Sequence, residues 1–518
     1  MRLSPQEKLL LKRLKRVRAL FGFLRMHRHE LFDDEFQERL EAMYRDTGAG
    51  APPHPPAFLC MVVLLQGYLG VSDAEAVELS VVDLRWQMVL GCLGAEKPAF
   101  SQGALQAFRE RMVAHNADQA LLERTATLVR EGAATEGERK TLSKALRVAV
   151  DSRPLAGAGR VEDTINLLGH AARSIVRLVS RLTELTEEEI CRKARAPLLL
   201  APSIKAGLDI DWSDAKQKMT AIEIVERQVS SLQRWVDRHL DDAVHEPLRP
   251  YIDALVQVKV QDLEQTEHGV RIRQGVAPDR RVSIEDAEMR HGRKSKAKRF
   301  DGYKEHIARD LDSPAIVACA VTPANVPEEE GAQPIADAIK QQGCRIAELH
   351  VDRAYVNSPV VDDVTSSGGT VYAKPWPHPN RRGFFSKDEF KLDLRKETIT
   401  CPAGHVEHFD LGSTVNFDPE ACGGCPLRSQ CTNAASGRGR TVQIAEDEAR
   451  QKKFRRLQQT PSGRENLRQR AAVEHSLAHI ASRKGSTARY VGARSNLFDL
   501  HRAAAIQNLE GLQRLRAA

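Results

Sequence analysis

Apolar residues recur at three- and four-residue spacing through most of the first 140 positions, the period of helices with one buried face. Leu9, Leu10, Leu14, Val17, Phe21 and Leu24 form one such stripe, and the unbroken run 58–65 opens a core helix after prolines 52, 53, 55 and 56. Ser72 followed by Glu75 reads as a capping box, and a further helix begins at Ser101. The pattern then changes. Residues 146–150, 303–309, 315–321, 346–351 and 370–373 are short β-type apolar runs, whereas 172–185, 221–240, 327–342 and 467–477 keep the helical period.

This order predicts an α+β protein: a mixed sheet with flanking helices, interrupted by a long helical insertion. The expected divisions are a helical N-terminal region at 1–140, sheet-domain pieces at 141–164 and 266–376, the insertion at 165–265, a cysteine-rich insert at 377–445, and closing helices at 446–518. Residues 303–309 and 315–321 should form a hairpin through 310–314. No apolar run approaches the roughly 18–20 residues that span a bilayer, so a membrane role is not expected.

Charge matters through its distribution. The net charge is +7, from 77 basic and 70 acidic residues. The first thirty residues, however, hold nine Lys or Arg against Glu7 and Glu30, a footprint suited to a phosphate backbone. The run 289–299 is also basic and includes Arg293 and Lys294. Nine cysteines in a long chain with no secretory segment point to a reducing, cytoplasmic compartment.

Three acids stand out by position. Asp151 and Asp352 each follow an apolar strand, and Glu474 lies in the helical stretch 467–477. Carboxylates brought together repel unless a cation sits between them, and hard oxygen donors select magnesium or manganese. Two such ions are a device for in-line displacement at phosphorus. Asp286 is a rival for the first acid, but its surroundings are polar and basic. Arg470, Arg483, Lys484, Arg489, Tyr490 and Arg494 cluster around the third acid and could hold phosphates. No phosphate-binding loop for ATP is present.

The second constellation is Cys401, Cys422, Cys425 and Cys431, with His405 as a possible substitute ligand. The two-residue gap between Cys422 and Cys425 lets both thiolates face one tetrahedral zinc, and a closed site of four ligands would be structural.

At these residues the chain resembles a family, the bacterial insertion-sequence transposases with a DDE-type catalytic domain, and within it the insertion sequence 1182-like group. The matching pieces are Val150-Asp151-Ser152, Phe300-Asp301-Gly302-Tyr303-Lys304, Val351-Asp352-Arg353-Ala354-Tyr355, Ala472-Val473-Glu474, Tyr490-Val491-Gly492-Ala493-Arg494 and Ala505-Ile506-Gln507-Asn508-Leu509. The resemblance implies a ribonuclease-H-like catalytic fold in which Asp151, Asp352 and Glu474 hold two Mg2+ (or Mn2+) ions. It also implies double-stranded DNA as partner, both the terminal inverted repeats and the target, together with a homodimer associated with the bacterial nucleoid. A silent DNA-binding regulator and a nuclease without strand transfer remain open at this point.

Overall fold

The computed structural model describes residues 3–14, 19–44, 53–134, 143–267, 269–294, 297–378 and 383–517. Lys15, Arg16 and Arg18 of the basic N-terminal stretch, and Ser295 and Lys296 of the second basic run, lie outside them. The chain divides into two compact units. The first comprises Met1–Leu146, Asp151–Arg345 and Val473–Ala518; the second comprises Arg147–Val150 and Ile346–Ala472.

In the first unit, helices from Pro5 to Ala133 form the N-terminal part. The predicted basic helix is two helices, Pro5–Arg13 and Ala19–Leu31, and two of its cations turn inward. Arg25 is buried against Glu7 at 2.5 Å, and Arg28 donates to the Val89 carbonyl. The Ser72–Glu75 capping box forms as expected: Ser72 Oγ accepts from the Glu75 amide, and the Glu75 carboxylate accepts from the Ser72 amide. Helix Pro56–Leu69 is buried from Leu59 to Gln66, which is why its apolar run shows no polar face. No single helix among the described residues is long and apolar enough to cross a membrane.

Strand β1 (Ala145–Ala156) has Arg147–Val150 in the second unit and its other residues in the first. After it, helices from Thr164 to Asp262 form the insertion around their own core, which includes Leu168, Ile175, Val229, Leu232 and Leu255. The insertion ends in a hairpin absent from the sequence reading, β2 (Leu263–Thr266) and β3 (Gly269–Ile272). Strands β4 (Arg290–Arg293), β5 (Arg299–Asp310) and β6 (Ile316–Pro323) follow. Both β4 and β6 pair antiparallel with β5, in registers Arg290↔Gly302 and Tyr303↔Pro323. The expected hairpin is therefore present.

The last helix, Ala493–Ala517, is the central post of this unit. It is buried at nearly every position from Phe498 to Leu509 and packs on helices Pro56–Leu69 and Ala117–Ala133 and on β6. Asn508 makes that last contact specific. Its Oδ1 accepts from the Ile316 amide, while its Nδ2 donates to the Ile316 carbonyl and to Thr125 Oγ1. A helix side chain thus satisfies the backbone of the first residue of a buried strand.

In the second unit, the Arg147–Val150 part of β1 borders β7 (Arg345–Val351), and β8 (Thr370–Tyr372) lies parallel to β7. Helix Pro359–Ser366 makes the crossover that a parallel pair requires. The cysteine-rich segment folds as a small antiparallel sheet, β9 (Lys391–Asp393), β10 (Thr398–Thr400) and β11 (Val406–His408), and a hairpin, β12 (Thr414–Asn416) and β13 (Thr441–Gln443). Its core is Phe390, Ile399, Phe409, Val415, Phe417, Val442 and Ile444.

Gly302 on β5 has φ +148°, and a Cβ there would stand 2.3 Å from both the Gly157 amide nitrogen and the Leu155 carbonyl oxygen. Backbone cannot yield as a flexible side chain does. Gly302→Ala should therefore cost about 2–4 kcal/mol, read as a lowered urea midpoint by circular dichroism.

Candidate active site and cysteine cluster

Each of the three acids sits on a different element. Asp151 lies within β1, half-buried, with Oδ1 accepting from the Ser152 amide at 2.8 Å. Asp352 is the first residue after β7 and caps the short 3-10 helix Arg353–Tyr355, accepting from the Arg353 amide at 2.8 Å. Glu474 is exposed in the first turn of helix Ala471–Lys484. Asp151 and Glu474 belong to the first unit and Asp352 to the second. Among the described residues, no group of three or more His, Cys, Asp or Glu side chains stands in metal-holding geometry.

Two sequence expectations need correction. Asp151 does not end its strand, because β1 continues to Ala156. The polar-looking continuation is buried: Arg153 Nε donates to Glu305 at 2.6 Å, and Leu155 is fully enclosed with Met289 and Tyr303. Residues 467–477 are likewise not one helix. Helix Pro461–Gln469 ends with Arg470 as its cap, and a new helix begins at Ala471. Arg470 is therefore not one turn above Glu474 on a shared helix.

Asp286 has a structural role that removes it from contention as the first acid. It is fully buried, and its Oδ1 accepts from the Tyr303 hydroxyl at 2.5 Å and from the Glu288 and Met289 amides, while Oδ2 accepts from the Gly492 amide. Burial first, and then this carboxylate, push the Tyr303 phenol well above its ordinary range. With its lone pairs engaged, Asp286 has little capacity for a cation.

The side chains around Asp151 and Glu474 in the first unit form a buried ionic network that sequence reasoning missed. Glu305, fully enclosed on β5, receives Arg153 through Oε2 and Lys484 through Oε1 at 2.5 Å. Arg153 is two residues past Asp151 on the same strand, and Lys484 closes the helix that carries Glu474. Lys484 also meets Asp499 at 2.9 Å, and Asp499 pairs with Arg502, which reaches Gln66. Backbone bonds reinforce the junction: the Ala156 amide donates to Ser486, the Ala488 amide returns the bond to Ala156, and Arg153 Nη1 donates to the Gly485 carbonyl. Strand and helix are thus locked at their ends.

Three of the cations expected at DNA have partners within the protein. Lys484 is 8 % exposed and held internally. Arg494 grips Asp118 through both guanidinium nitrogens, at 2.6 and 2.9 Å, with His501 on the same carboxylate. Arg483 pairs with Glu510 and lies over the Tyr68 ring. Tyr490 packs edge-on against Phe498. Arg489, Arg293 and Lys294 are exposed.

In the second unit, Cys401, Cys422, Cys425 and Cys431 line one small cavity of about 20 Å³, with His405 on its wall. None forms a disulfide. The Arg440 amide donates to Cys422 Sγ at 3.5 Å. Burial raises the Cys431 thiol pKa, Arg440 opposes the rise, and Cys422, Cys401 and Cys425 add to it. Four thiolates are the donor set of a closed structural zinc site, but these four do not stand in metal-holding geometry here.

Two outcomes follow from the buried network. Lys484→Met leaves Glu305 to Arg153 and Asp499 to Arg502 alone and should lower stability by about 1–3 kcal/mol, measured by urea unfolding. Asp499 carries a depressed pKa, about 2: burial pushes it up, but Arg502 and Lys484 outweigh burial. Its contribution is therefore full above the ordinary carboxylate range and is lost as pH falls towards about 2. Melting temperature should drop across that window in the wild type, and less steeply in Asp499→Asn.

Two stretches match known protein families. Residues 400–513 match one described as Transposase DDE domain, and residues 22–111 match one described as Transposase domain (DUF772). No curated protein and no solved structure matches the chain. The first match contains the cysteine cluster, Glu474 and most of the final helix; the second contains helix Pro56–Leu69, which packs against that helix. Two transposase matches in separate parts of one chain support a transposase of the DDE family.

Proposed function

We propose that this chain is a DNA transposase that binds the terminal inverted repeats of its element, cleaves them and joins the strands to a target, with Asp151, Asp352 and Glu474 as the ligands of two divalent metal ions on a ribonuclease-H-like sheet. The observation that carries the reading is the pair of transposase matches, the later of which includes Glu474. The donor set supports it as well. Three carboxylates offer only hard oxygens, which suit Mg2+ or Mn2+. Bound there, such ions would activate the attacking oxygen and stabilise the leaving one.

The chain's own residues supply position. Glu305, through Arg153 and Lys484, fixes the strand of Asp151 and the helix of Glu474 from beneath. Arg470 and the exposed Arg489 would hold DNA near the third acid. A zinc ion held by Cys401, Cys422, Cys425 and Cys431 would brace the insert; their shared cavity supports this, and His405 could replace one thiolate.

Asp151→Ala, Asp352→Ala and Glu474→Ala should each abolish Mg2+-dependent nicking of an inverted-repeat duplex and leave end binding within a few-fold of wild type, scored on denaturing gels and by mobility shift. Undiminished nicking by any of the three removes that residue from the site. Nicking without strand joining would identify a nuclease instead. For the insert, inductively coupled plasma mass spectrometry of protein purified without chelator should give one zinc per chain. Cys422→Ser/Cys425→Ser should give none, and zinc-free wild-type protein would refute the zinc assignment.

A further inference from the structure

A second basic site is built into the first unit, on the hairpin of β4 and β5. Arg293 and Arg299 are register partners across this antiparallel pair, as are His291 and Asp301 one step along. Residues two apart on a strand share a face, so all four side chains project the same way. They line a cleft of about 430 Å³ whose opposite wall comes from residues 276–278, Arg280 and Asn325.

Most of the charge in this cleft is already satisfied. Arg280 is bidentate to Asp262 at 2.7 and 2.8 Å, and Arg290 pairs with Asp279 at 2.6 Å. Asp301 is bonded to His291 Nδ1, and Arg280 donates to His291 Nε2 at 3.2 Å, so the imidazole bridges the two. Arg293 and Arg299 differ: neither has an ion pair among the described residues, and both are exposed at the mouth. Like charges directly opposite each other on paired strands are destabilising. Two uncompensated guanidiniums facing one another above a cleft await an anion, and their planar forks suit phosphate oxygens.

The walls are held in place before any ligand arrives. Asn325 Nδ2 donates to the Pro278 carbonyl at 3.0 Å, tying the opposite wall, and a Cβ at Gly292 would stand 2.7 Å from the Ala324 carbonyl oxygen, so β4 lies flush against that segment. We propose that this cleft seats a backbone phosphate of duplex DNA, gripped by Arg293 and Arg299 from the two strands of the hairpin. The proposal rests on the DNA-binding reading above and adds a contact made by residues other than the three acids.

The test is fluorescence anisotropy of a labelled random-sequence duplex with the full chain across a sodium chloride series, because a phosphate contact is sequence-independent and releases counterions. Arg293→Gln/Arg299→Gln should flatten the slope of log affinity against log salt by about 1 unit, whereas Arg293→Lys/Arg299→Lys should keep most of it. The glutamine variant should also melt no lower than wild type, since it relieves a repulsion. An unchanged slope in that variant, or a lowered melt, overturns the phosphate seat and leaves the transposase reading standing. Failure of the wild type to bind duplex DNA at all would sink both.

Discussion

Glu305 is the constraint on which the first unit depends. A carboxylate with no solvent exposure is tolerable only when its charge is matched, and two cations from distant parts of the chain match it. Arg153 arrives along β1, and Lys484 arrives at the end of a helix more than three hundred residues later. Losing either would leave Glu305 with one cation in place of two. The network continues through Asp499 and Arg502 to Gln66, so the strand of Asp151, the helix of Glu474, the final helix and an N-terminal helix share one electrostatic core. Buried networks of this kind add little net stability over an apolar core, but satisfying every member demands particular partners.

That specificity gives the family-like motifs a physical meaning. Gly302 in Phe300-Asp301-Gly302-Tyr303-Lys304 is required by contact with the Leu155–Gly157 backbone, and Tyr303 in the same motif ties down Asp286. Gly492 presents its amide to Asp286, and Arg494 clamps Asp118. Asn508 completes the backbone of β6. These positions are devices for holding the C-terminal helices to the sheet and the N-terminal helices. The reacting groups in the proposed function are few, and much of the motif content goes into placing them.

What the sequence disclosed was local. The capping box at Ser72 and Glu75, the β5–β6 hairpin, the helices between Thr164 and Asp262 and the strand before Asp352 all follow from short-range pattern. The failures share a cause in long-range partners. Arg153 looks like the start of a turn because its neutralising Glu305 is 152 residues away, so β1 seemed to stop at Asp151. Lys484 and Arg494 look like surface cations until Asp499 and Asp118 are seen beside them. The helix break at Arg470 is marked by neither proline nor glycine, and no spacing rule finds it. The role of Asp286 was hidden in the same manner, since its hydroxyl partner lies on another strand.

The claim that Asp151, Asp352 and Glu474 share metal can be tested without DNA. Iron(II) enters hard-oxygen sites, and with ascorbate and peroxide it cuts the polypeptide close to where it binds. The account predicts three cuts, near residues 151, 352 and 474, all suppressed together by excess Mg2+. Cuts at one of these positions without the others, or a cutting pattern indifferent to Mg2+, would contradict it.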